Sequence, residues 1–174
     1  MGDHRPNKEI LVIGCGNPLV GDDGFGPAVI ACLEENYCLP GQVKIMDAGT
    51  SIREILFDLL LTPQKPDHLI IVDSVNFSGG TPGNIFRINL DQIPSHKISD
   101  YSLHQFPTQN LLKELREFSP MDLQFLAVQV DHIPEFVSQG LSKPVDSALL
   151  PMCDWILEEI NGMVGIKGDD HADL

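Results

Sequence analysis

Hydrophobic patterning marks five strands along the chain. Residues 9–15 (EILVIGC) are almost continuously apolar, as is the middle of residues 68–75 (HLIIVDSV). Short unbroken apolar runs of this kind suit strands covered on both faces. Residues 42–47 (QVKIMD) and 83–90 (GNIFRINL) alternate apolar and polar positions, and residues 121–130 (MDLQFLAVQV) form the fifth. The segments between them carry a helical period. Residues 24–37 contain Pro27, suited to a first helical turn, and put Phe25, Val29, Cys32 and Leu33 on one face. Residues 51–61 (SIREILFDLLL) begin with Ser51 as a cap, and residues 106–118 carry Pro107 in their first turn. A last helix over residues 144–162 aligns Val145, Leu149, Met152, Ile156 and Ile160, with a kink predicted at Pro151.

The resulting order, β-α-β-α-β-β-α-β-α, predicts an α/β fold of three layers. A mainly parallel, twisted, five-stranded sheet carries helices on both faces. The short GGTPGN link after strand three predicts that strand four is its antiparallel neighbour. In such sheets ligands sit beyond the carboxyl ends of the strands.

Length and composition narrow the class. The 174 residues fit a single domain, residues 1–174, with an ordered core over about 9–162 and an acidic tail at 163–174. No apolar run approaches the roughly 20 residues that a spanning helix needs, and the polar start MGDHRPNKE does not read as a signal peptide. A formal net charge of −14 argues against a nucleic-acid partner. Cys15, Cys32, Cys38 and Cys153 show no metal-binding spacing and read as free thiols in a reducing cytoplasm.

The chemistry lies at one edge of the predicted sheet. Strand one runs into GCGNPLVGDDGFGP, which holds Asp22 and Asp23; strand two ends at Asp47 in DAGT; strand three ends at Asp73 in IIVDSV. If these strands are parallel, four carboxylates share that edge, and a cation relieves their repulsion. Asp22 or Asp23 can also be a helix cap and Asp47 a turn residue. Asp73 follows four apolar residues, where a carboxylate seldom lacks a partner. Of the six histidines, His4 and His171 are terminal and His68 starts strand three at the opposite edge. His96, His104 and His132 stand in loops within possible reach, and spacing alone does not choose between His104 and His132. Nucleotide binding fits poorly: Leu19 occupies the third glycine position of GxGxxG, and GxxxxGK[ST] is absent.

Taken in order and spacing, GNPLVGDDGFGP, DAGT, IIVDSV, SLHQF and AVQVDHIPEFVSQGLSKPVDSAL resemble the hydrogenase maturation endopeptidases. These trim a C-terminal extension from the large subunit of nickel-iron hydrogenases. The resemblance spans roughly residues 9–160. It implies that Asp23, Asp73 and His104 form the family's metal-binding trio, with Asp23 standing where some members have glutamate. It also implies a part for Asp47 in substrate recognition or activity. The ion would be nickel already inserted in the precursor, so no resident cofactor is required; zinc or another divalent transition metal could substitute. The implied partner is the hydrogenase large-subunit precursor. The chain itself is expected to be a cytoplasmic monomer, with loops 91–105 and 131–143 selecting that partner. Asp22 or Asp47 stands as the candidate general base. Three rival readings are a thiol hydrolase using Cys15, a non-proteolytic nickel-sensing chaperone of the precursor, and a generic metal-dependent hydrolase.

Overall fold

The computed structural model describes residues 8–89 and 108–165. Its elements are β1 (Ile10–Cys15), a 3-10 turn (Gly21–Gly24), α1 (Phe25–Asn36), β2 (Val43–Gly49), α2 (Ile52–Leu61), β3 (His68–Val75), β4 (Ile85–Arg87), α3 (Thr108–Phe118), β5 (Asp122–Gln129), α4 (Lys143–Asp146) and α5 (Leu149–Val164). The strands form one sheet in the order β2-β1-β3-β5-β4. All pairs are parallel except β4 with β5. The predicted α/β sheet with helices on both faces is the observed one.

Alternation along each strand sorts the core into two layers. Val12, Ile70, Val72, Leu126 and Val128 pack with Phe25, Val29 and Leu33 of α1 and with Met152, Ile156 and Ile160 of α5. The opposite face sets Ile13, Leu69, Ile71, Phe125 and Ala127 against Ile52 and Leu56 of α2 and Leu112 and Leu115 of α3.

Three expectations need correction. First, β4 is antiparallel but does not neighbour β3; it pairs with β5, through Ile85↔Val128, Phe86↔Ala127 and Arg87↔Leu126. The physical reason is length. Buried β3 needs a full partner on each edge, and β5 matches it from His68↔Asp122 to Val75↔Gln129, which a three-residue strand cannot do. Second, the last helix is broken: α4 ends at Asp146 and α5 starts at Leu149. Pro151 therefore lies in the first turn of α5, where a missing N–H costs nothing, and imposes no kink. Third, β2 continues past Asp47 to Gly49, so Asp47 stands within the strand and does not end it.

Two glycines bring α1 directly onto the sheet. A Cβ on Gly26 would lie 2.1 Å from the Cys15 carbonyl oxygen and 2.7 Å from that of Val72. A Cβ on Gly14 would lie 2.3 Å from the Gly26 carbonyl oxygen. No side chain fits between the first turn of α1 and the backbones of β1 and β3. This contact holds the 3-10 turn, with Asp22 and Asp23, over the strand ends. Gly26→Ala is expected to lower the unfolding free energy by about 3 kcal/mol, read from the denaturant midpoint. Gly41→Ala, whose Cβ meets nothing within 4 Å, should leave the midpoint near its parent value.

Candidate active site

The parallel order β2-β1-β3 makes the gap between β1 and β3 the point where connections leave in opposite directions, since β1 leads to β2 on one side and β3 lies on the other. Ligands of doubly wound sheets bind beyond the strand ends at such a point. Two buried carboxylates stand there, Asp23 at 2% exposure and Asp73 at 5%.

Each has donors supplied by the backbone nearby. The Asn17 N–H donates to Asp23 Oδ2 at 2.8 Å. Gly16 makes this possible: its φ of +135° turns the chain back, and a Cβ there would sit 1.8 Å from the Asp23 carbonyl oxygen. The Ser74 N–H donates to Asp73 Oδ1 at 2.8 Å, and Ser74 Oγ lies 3.4 Å from Asp23 Oδ1. Ser74 thus touches both carboxylates. Alternation along β3 puts Asp73 on the α2/α3 side and Ser74 on the α1 side, so the two acids flank the end of the strand.

Asp47 also belongs to this edge, opposite Gly14 in the β1–β2 register. It is exposed, and its Oδ1 accepts the Gly49 N–H at 2.8 Å, the local turn bond expected of an aspartate before Ala-Gly-Thr. The neighbouring Cys15 senses the whole group. Its thiol is held well above the usual thiol range, first by burial and then by the charges of Asp73, Asp47 and Asp23. A buried thiol facing three acids resists forming the thiolate, which is the nucleophilic form. The thiol-hydrolase reading is therefore set aside. The four cysteines are free, with Cys15 and Cys153 buried.

Asp22 behaves differently from its neighbour. It is 2% exposed, and its carboxylate accepts the Asp131 N–H at 2.9 Å, the Ser142 N–H at 2.6 Å and the Ser142 hydroxyl at 2.9 Å. Neither aspartate caps α1, whose N-cap position is Gly24 with no side-chain bond. With both oxygens occupied in fastening the β5–α4 loop, Asp22 is a structural anchor, which removes it as the candidate general base. Ser142, 120 positions away, carries no sequence signal for this pairing, and neither does Ser74 for its place between two acids.

Among the histidines, His68 sits at the far edge, its Nδ1 3.3 Å from Asp122 Oδ2. The exposed His132 pairs with Asp131 at 3.2 Å. His104 lies outside the described residues, as do His4, His96 and His171. Among the described residues no group of three or more His, Cys, Asp or Glu side chains has the arrangement to hold a metal ion. Among the described residues, then, His132 does not complete a three-ligand set with Asp23 and Asp73.

Two substitutions test these assignments. Asp22→Ala leaves three donors without their acceptor and should destabilise the fold by about 2–4 kcal/mol; hydrogen exchange should speed up first at the Asp131 and Ser142 amides. Cys15→Ser should retain the parent rate of substrate turnover, followed by mass spectrometry.

Comparisons with known proteins agree with this architecture. The family model described as hydrogenase maturation protease matches residues 27–159. The Escherichia coli hydrogenase 2 maturation protease is 31% identical over 150 residues, covering 85% of this chain and 88% of that one. The Azotobacter vinelandii hydrogenase expression/formation protein HoxM is 33% identical over 170 residues, covering 94% and 79%. In structure, the chain is similar to the E. coli hydrogenase maturating endopeptidase HybD, with a TM-score of 0.74 at 28% identity over 89% of this chain and 93% of that one. With the strand order, the buried acids at the β1–β3 edge and a family match across most of its length, this chain belongs to the hydrogenase maturation protease family.

Proposed function

We propose that the chain removes the C-terminal extension of a nickel-iron hydrogenase large-subunit precursor after nickel has been inserted. Asp23, Asp73 and His104 would read that nickel while it remains a part of the substrate. The observation that carries this is the pair of buried carboxylates, Asp23 and Asp73, flanking the end of β3 and joined through Ser74. Two acids in so little space favour a cation nearby. Two carboxylates and one imidazole suit a borderline ion such as nickel, with zinc or ferrous iron as possible stand-ins. Three protein ligands leave positions for the precursor's own groups.

The ion would polarise the scissile carbonyl or acidify an attacking water. The chain's own part is to hold that ion and to handle protons. Asp47 is exposed at the same edge and can take a proton from water as its oxygen adds to the carbonyl carbon. The C–N bond then breaks, and the proton passes to the departing amine. Because the loaded precursor completes the site, nickel insertion would time the cut.

No described helix is long and apolar enough to cross a membrane. We read the chain as one domain, since both core layers share one sheet, acting as a monomer in the cytoplasm, where free thiols persist.

The test is to incubate the chain with nickel-loaded and nickel-free precursor and weigh the products. Loss of a C-terminal peptide from the loaded form alone is expected; efficient processing of the nickel-free form would reject nickel gating. A complex without any mass shift would favour the chaperone reading. Asp73→Asn and His104→Ala should each slow cleavage at least about 100-fold.

A further inference from the structure

The turn before α1 is fastened to the β5–α4 loop at several points. The Gly21 N–H donates to the Ser138 carbonyl at 2.7 Å, and the Ser138 N–H to the Leu19 carbonyl at 2.9 Å. Val20 and Ser138 form a parallel bridge, and the Asp22 carboxylate holds both ends of the loop, at Asp131 and Ser142. Between the two segments lies a cleft of about 270 Å³ whose walls include Gly21, Pro134, Gly140 and Leu141. Beside these bonds stand apolar side chains open to solvent: Leu19 at 44% exposure, Phe136 at 82% and Val137 at 75%.

Such large side chains on a firmly anchored loop are unusual at a surface that has no partner. The anchoring also has a consequence for registration. Asp22 fixes the loop while the next residue, Asp23, faces the candidate catalytic edge. Anything docked against the loop is therefore held at a set distance from Asp23. The loop's exposed acids are Asp131, which His132 meets at 3.2 Å, and Glu135; its lysine, Lys143, stands at the far end where α4 begins.

We propose that Leu19, Phe136 and Val137, with the adjoining cleft, form the docking platform for the large-subunit precursor. The segment they receive is an extended apolar stretch of that polypeptide with lysine or arginine beside it. Apolar side chains seat against Phe136 and Val137, and the basic neighbours meet Asp131 and Glu135. This rests on the precursor being the client. The platform's preformed geometry lowers the ordering cost of binding and sets the part of the precursor presented to Asp23.

Binding of nickel-loaded precursor to the immobilised chain tests this, with cleavage followed separately in the same samples. The double variant Phe136→Ser, Val137→Ser should raise Kd about tenfold or more, and Leu19→Ser should raise it in the same direction. Phe118→Ser, also at an exposed position but at the end of α3 beside the opposite edge of the sheet, should bind as the parent does. Thermal melts of all three should match the parent. Parent-like binding by the double variant, equal weakening by Phe118→Ser, or no binding by the parent chain would each overturn the platform. Binding by the parent without cleavage would overturn the protease reading and leave the platform standing.

Discussion

The close approach of α1 to the backbones of β1 and β3 is the constraint on which the site depends. Helix and strand normally stand apart by the thickness of their side chains. Here Gly14 and Gly26 remove that spacing at one point, and the carbonyl of one meets the position a Cβ of the other would take. The rest of α1 keeps an ordinary apolar contact through Phe25, Val29 and Leu33. The helix is therefore pinned at its start, and the 3-10 turn ahead of it has little freedom. Asp22 and Asp23 are buried because the turn is pressed onto the sheet.

Burying two adjacent acids requires donors for each, and the chain meets this in two unlike ways. Asp22 turns toward the β5–α4 loop and takes three bonds there. Asp23 turns toward the strand ends and shares Ser74 with Asp73. One acid holds a loop in place and the other stands at the candidate reaction centre, so the anchored loop and that centre are joined through a single peptide bond. The raised Cys15 thiol reports the same crowding from below, since three carboxylates act on it at once.

Much of this is legible in the sequence. β3 matches its predicted bounds because an apolar run ended by Asp-Ser-Val has few other ways to fold. The gathering of Asp47 and Asp73 at one edge follows from parallel strands, and Asp23 joins them because the turn after β1 leads out from the same edge. Other features were not legible. GGTPGN is short enough for a hairpin, but the competition among strands for β3's edge is settled by length and burial, and β5 wins. Pro151 resembles a kink until the break before Leu149 places it in a first turn. Asp22 and Asp23 look equivalent in GDDG, and neither local propensity nor charge separates them.

By itself, the sequence determined the alternation of strands and helices, the edge at which the acids gather and the family to which the motifs point. These rest on periodicity and chain order, which are local properties. Only the tertiary structure decided which aspartate is an anchor and which faces the strand ends, where β4 pairs, and that Leu19 meets a loop more than a hundred residues away. Those outcomes depend on partners distant in the chain, whose hydrogen bonds and packing exist only once the sheet has formed.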